Sequence, residues 1–112
     1  MSDLRRVGGE GERIAADYLI GKGYTIVTRN YHSRRGEIDL VALDGDQLVF
    51  VEVKLRRTRG VPAEAALDHR KFERVMAATE DYLQYVGEPN RSVRFDLVAI
   101  DPDGLRHHEG VG

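Results

Sequence analysis

The sequence predicts a single α/β domain of order α-β-β-β-α-β, with a mixed sheet, an antiparallel hairpin within it and helices packed on it. Two observations carry this expectation. Two strand-like runs flank Asp44-Gly45, and Asp-Gly between such runs is a strong short-range hairpin signal. A long amphipathic stretch then separates the third strand-like run from a fourth, as a right-handed crossover between parallel neighbours requires. With 112 residues and no repeat, one domain spanning 1–112 is expected.

The elements follow in order. Residues 9–22 read as a helix because Ile14, Ala15, Tyr18 and Leu19 share one face, and Gly21 and Gly23 end it. Residues 24–28 are β-branched and aromatic, which suits a pleated surface. Residues 37–41 and 48–54 form the hairpin. Pro62 is tolerated in a first helical turn, so a second helix is expected over 62–86 with Leu67, Phe72, Val75, Met76, Thr79, Leu83 and Val86 as its apolar stripe. Gly87 and Pro89 stop it. Residues 93–100 read as a fourth strand, and 101–112 as a frayed end or a short edge element.

The chain has no cysteine, which excludes a disulfide framework, a thiolate-held zinc or iron–sulfur site and a thiol nucleophile. No apolar run approaches the roughly 20 residues of a membrane span. The N-terminal run Met1-Ser2-Asp3-Leu4-Arg5-Arg6 has no apolar stretch after its charges, so a secretory signal is not expected and the cytoplasm is the expected location. Seventeen basic and nineteen acidic residues give a net charge of -2, so any argument for a polyanionic partner has to come from how the charges are distributed.

Glu37, Asp39, Glu52 and Lys54 interrupt the most apolar part of the chain. With Asp44 and Gly45 as the two loop residues, Leu43 faces Asp46, Asp39 faces Phe50 and Glu37 faces Glu52, placing all four charges on one face. Opposed carboxylates destabilise a sheet unless a cation sits between them. One reading is a solvated face with Glu52 and Lys54 in cross-strand ion pairs. The other is a metal site. Asp39, Glu52 and the Val53 carbonyl offer the hard oxygen ligands that Mg²⁺ takes, and Lys54 stands ready to act on a water or on phosphate charge.

The ordered set Gly11-Glu12, Ala15, Tyr18, Leu19, Gly23-Tyr24, Arg29-Asn30-Tyr31, Gly36-Glu37-Ile38-Asp39-Leu40-Val41, Val49-Phe50-Val51-Glu52-Val53-Lys54, Pro62, Glu64-Ala65, Lys71 and Arg94-Phe95-Asp96 covers nearly the whole chain. It resembles the PD-(D/E)XK nuclease superfamily, with its restriction-endonuclease-like αβββαβ core. More closely it resembles the YraN-like group, the UPF0102 family, which is related in fold to archaeal Holliday junction resolvases. Ile38 replaces the proline of the superfamily's name motif. The resemblance implies Asp39 and Glu52 as ligands of Mg²⁺ or Mn²⁺, Lys54 as the catalytic lysine, and Glu12 as a helix-borne acid binding the metal directly or through water. Glu37 is read as a partner orienting Arg29, Arg34 or the metal's water.

Between Glu37 and Glu52 every charged side chain is acidic, whereas Arg34-Arg35 before and Lys54, Arg56, Arg57 and Arg59 after are basic. A hairpin brings these basic arms together beside the carboxylates, as a phosphodiester backbone requires, with Arg29, His32 and Lys71 extending the patch. The opposing reading is a solvated loop. No base-reading motif is present, so recognition of DNA by backbone or branched shape is expected, and symmetric action on a junction would need a homodimer. Tyr31, Tyr82 and Tyr85 are available for base stacking, with Tyr82 better suited to packing. His107-His108 read as incidental, and His69 belongs to the second helix's start. Two functions remain open: a metal-dependent DNA nuclease, or a non-catalytic nucleic-acid-binding or assembly module of the same fold.

Overall fold

The computed structural model describes residues 2–111, with side chains from residue 9 onward; Met1 and Gly112, and the side chains of the N-terminal run, lie outside the described residues. The elements are α1 (Ser2–Gly21), β1 (Thr25–His32), β2 (Glu37–Asp44), β3 (Gln47–Leu55), a 3₁₀ turn (Ala63–Ala66), α2 (His69–Tyr85), β4 (Val93–Asp101) and β5 (Gly104–His108). The strands form one sheet in the order β1-β2-β3-β4-β5. β3 and β4 are parallel, as the crossover predicts, and the other neighbours are antiparallel. Among the described residues no helix is long and apolar enough to cross a membrane.

The helices cover opposite faces of the sheet. On one, Ala15, Ala16 and Leu19 pack against Leu40, Ala42, Val49, Val51 and Val98; on the other, Val75, Ala78, Tyr82 and Leu83 pack against Ile38, Val41, Leu48 and Phe50. Strands covered on both faces need near-continuous apolar runs, which is why β2 and β3 are the most hydrophobic segments. Each fully buried Leu or Phe contributes about 1.5–3 kcal/mol. The charges in these strands therefore stand at the end of a well-formed core.

Several boundaries differ from the sequence expectation. α1 begins at Ser2 and turns its small residues inward: Ala16 is fully buried while Ile14 and Tyr18 are each 36% exposed. The long second helix is two pieces. Pro62 caps only the 3₁₀ turn, Leu67 is extended, and Asp68 accepts a hydrogen bond from the Lys71 N–H to start α2 afresh. An aspartate carboxylate satisfies an orphan N–H that proline cannot, so the helix nucleates there. Met76 and Val86, assigned to the apolar stripe, are exposed, and Ala78 and Tyr82 take the buried places. The tail carries β5 and is anchored by the Val111 N–H donating to the Phe95 carbonyl.

The hairpin turns one residue later than expected. Asp44 pairs with Gln47, so Gly45 and Asp46 are the loop residues, with Gly45 at φ 61°. Leu43 faces Leu48 rather than Asp46, a slip of two residues, which by itself would conserve the faces of the sheet. The ladder ends at Leu40↔Val51, so Asp39 does not pair with Phe50, nor Glu37 with Glu52.

Candidate active site

The β2–β3 ladder ends at Leu40↔Val51, and the two strands part beyond it. Val53, without a ladder partner on β2, donates its N–H to Asp39 Oδ2 at 2.7 Å. An extended residue points its N–H and C=O to the same edge, so the Val53 carbonyl also faces this gap. The gap is a cavity of about 160 Å³ lined by Glu12, Glu37, Asp39, Glu52, Val53 and Lys71, together with Arg74 and Val75. Glu12 reaches it because Gly11 lets α1 lie close to β3: a Cβ there would stand 3.2 Å from Leu55 Cβ and 3.4 Å from Val53 Cγ1. The α2 wall is fixed similarly, since a Cβ on Gly36 would collide with the Arg74 carbonyl.

The carboxyls are unwilling anions. Burial, with Glu12 nearby, pushes Asp39 up to about 6, against the opposing pull of the Val53 N–H. Burial and the Asp39 charge push Glu52 up to about 7, although Lys54 pulls the other way. Burial also raises Glu12, against the opposing pull of Asp39 and Asn30. Asp39 and Glu52 thus hold their protons to higher pH than ordinary carboxyls, and Glu12 is shifted in the same direction. Glu52 and Lys54 are 8% and 6% exposed, with Lys54 Nζ 2.9 Å and Lys71 Nζ 3.8 Å from Glu52 Oε2. Burial lowers Lys54, but the charges of Glu52 and Asp39 outweigh it and the ammonium is stabilised; Lys71 is lowered by the neighbouring Lys54 ammonium.

Among the described residues no three His, Cys, Asp or Glu side chains form a ready-made metal cage. The donors nevertheless fit a hard dication in chemistry: three carboxyls and a backbone carbonyl edge face one cavity, and the charge they lack when ionised is positive. In this state the ammonium groups of Lys54 and Lys71 supply part of it.

The model of UPF0102, an uncharacterised protein family, matches residues 11–100. The chain belongs to this family. A UPF0102 protein of Symbiobacterium thermophilum is 47% identical over 102 residues, covering 88% of this chain and 84% of that one. One from Rhodococcus jostii is 48% identical over 96 residues, covering 84% and 80%, and one from Chlorobium limicola is 42% identical over 105 residues, covering 92% and 81%.

The sequence-assigned site residues of this UPF0102 chain divide into two groups. Glu12, Asp39, Glu52, Val53, Lys54 and Lys71 come together. Glu37 lines the cavity but pairs with His32 (Nδ1–Oε1 3.0 Å), not with Arg29 or Arg34. The basic arms do not close on the carboxylates as expected. Arg35 is held by Asp81 and Glu80 of α2, Arg57 by Glu10, and Arg59 lies 3.6 Å from Asp103. Arg56 donates its backbone N–H to Ile100, and its buried Nε has no hydrogen-bond partner. Arg29 and Arg34 are exposed and outside every ion pair among the described residues, as are Arg70 and Arg74, which the sequence did not single out. Their signal was present in the one-helical-turn spacing of Arg70 and Arg74 but depends on where α2 begins. Tyr82 is buried, as its packing role requires, while Tyr85 is 79% exposed. The two histidines are structural: the buried His107 bonds to Asp96 at 2.8 Å and His108 to Glu64 at 2.8 Å.

Proposed function

We propose that this UPF0102 protein is a divalent-metal-dependent nuclease acting on DNA, with branched or structured DNA as its preferred class. The observation that carries this reading is the convergence of Glu12, Asp39 and Glu52 on one cavity where the central hairpin splits, with the Lys54 ammonium 2.9 Å from the Glu52 carboxylate. Asp39, Glu52, the Val53 carbonyl and Glu12 would hold Mg²⁺ or Mn²⁺. Such an ion, when bound, makes a water acidic enough to attack and offsets charge on the phosphodiester. Lys54, whose ammonium is stabilised by Glu52 and Asp39, acts by donating to a phosphate oxygen rather than as a base. Lys71 and Arg74 line the same cavity and hold flanking phosphates, with Arg29, Arg34 and Arg70 beyond them. Nothing in this arrangement reads base edges, so backbone and shape supply recognition.

The alternative, a nucleic-acid-binding module without turnover, is favoured by one observation: Glu52 is already engaged by Lys54 and Lys71. The two readings separate on a labelled four-way junction, a flap and a single strand incubated with Mg²⁺ or Mn²⁺. The nuclease reading expects cleavage, reduced roughly a hundredfold or more by Asp39→Ala or Lys54→Ala in variants that keep wild-type circular dichroism. Cleavage that persists in both variants rejects the assignment. Salt-sensitive binding without cutting under either metal establishes the alternative.

A further inference from the structure

We propose that Asn30 is a positioning residue of the carboxylate site: its left-handed backbone swings Asp39 into the plane of the sheet, and its side-chain amide holds Glu12 against it. This deepens the metal-site reading above and rests on it for its functional meaning.

Asn30, at φ 53°, has the one positive φ of a non-glycine among the described residues, and it lies inside β1. Asparagine is a poor strand former but one of the few side chains at ease in the left-handed region. Strained backbone of this kind persists where its surroundings over-determine it, and it concentrates at functional sites. The register shows what surrounds it here. Arg29 pairs with Leu40 and Tyr31 with Ile38, so Asn30 lies directly opposite Asp39.

Both strands change face across this pair. Leu40 packs in the core under α1, whereas Ile38 and Tyr31, each across from the other, pack in the core under α2. A regular strand would put Ile38 and Leu40 on the same face. The reversal leaves Asp39 pointing neither up nor down but sideways toward β3, where its carboxylate takes the Val53 N–H at 2.7 Å in place of a ladder carbonyl. The Asn30 side chain meanwhile favours the Glu12 carboxylate against its burial, and Glu12 and Asp39 act on each other. One residue is therefore placed to act on both acids, on one through its backbone and on the other through its amide.

If Asn30 served the turn of the chain alone, glycine would replace it without loss. The decisive variant is accordingly Asn30→Gly, with Asn30→Ala as the strained control. In metal-free, ¹⁵N-labelled protein the Asn30 side-chain amide should resonate downfield of a solvated asparagine, and Glu12→Ala should return it to the solvated position. An amide already at the solvated position and indifferent to Glu12→Ala overturns the proposal whether or not the protein binds metal. In Mn²⁺ titrations, Asn30→Gly should melt within a degree or two of wild type yet bind Mn²⁺ roughly tenfold more weakly, because two ligands lose their common support. Asn30→Ala should both melt lower and bind more weakly. Wild-type affinity in Asn30→Gly overturns the positioning role. Failure of the wild-type protein to bind Mn²⁺ overturns the metal reading instead, and the amide signal then decides the positioning.

Discussion

Two neighbouring places in the sheet bury carboxylates in opposite ways. On β4 Asp96 is 1% exposed, yet Arg94 grips it with two hydrogen bonds of 2.9 Å, His107 meets it at 2.8 Å and the Gly110 N–H donates at 3.1 Å. Burial pushes Asp96 up, but those donors outweigh it and its pKa falls below the usual range. Lys22 donates to His107 Nδ1 at 2.9 Å, which fixes Nε2 as the protonated nitrogen facing Asp96. Asp101 and Glu64 are likewise lowered by Arg106, Glu64 to about 2. At the mouth of the β2–β3 hairpin Asp39 and Glu52 are raised, because burial and a neighbouring carboxyl outweigh the pull of the Val53 N–H on one and of Lys54 on the other. Burial alone therefore does not mark a functional acid. What sets Asp39 and Glu52 apart from Asp96 is a shortage of donors, which the proposed metal would make good.

The largest test of this contrast is Arg94→Ala, which strands the Asp96 carboxylate in the core. It should cost about 3–5 kcal/mol in urea denaturation. A smaller effect of opposite sign is expected for Asp39→Asn, which keeps the acceptor for Val53 and removes the reluctant charge. In EDTA at pH 8 it should stabilise the protein by about 2 kcal/mol, and below pH 4 by nothing. The sign follows from linkage. Folded Asp39 and Glu52 keep protons to about pH 6 and 7, whereas the unfolded chain releases them near 4, so their contribution is full below pH 4 and lost as pH rises through 7. Asp96 and Glu64 behave oppositely, contributing above the unfolded carboxylate range and losing that contribution as pH falls. A flat difference between Asp39→Asn and wild type from pH 4 to 8 would break the comparison. The smallest effect is expected where the basic arms are already neutralised. Arg57→Ala with Arg59→Ala should change stability by no more than about 0.5 kcal/mol and DNA affinity less than twofold, against roughly tenfold for Lys71→Ala with Arg74→Ala in the same filter-binding assay.

Much of this was legible in the residues themselves. The order of elements followed from the Asp44-Gly45 turn and the amphipathic crossover, and the misplaced carboxylates pointed to Asp39, Glu52 and Lys54 because charge inside an apolar strand is costly wherever the register falls. Glu12 was not legible from its own surroundings. It reaches the site only because Gly11 permits close packing, a fact of three dimensions. The basic arms failed for a similar reason: adjacency in sequence placed Arg35 and Arg57 near the hairpin's mouth, but Asp81 and Glu10 arrive from distant helices to claim them. Asp68 likewise made α2 start afresh at His69, which placed Lys71 and Arg74 in its first turns, where both line the cavity.

The bend at Asn30 has a consequence for life in a crowded solution. β1 is an outer strand, eight residues long and with Val27 44% exposed, and an uninterrupted edge of that kind offers a template on which other chains can add as strands. The left-handed residue at position 30 and the register shift between Ile26 and Thr28 cut that edge into fragments too short to template a neighbour. The same distortion that turns an aspartate toward its partners thus guards the molecule against aggregation.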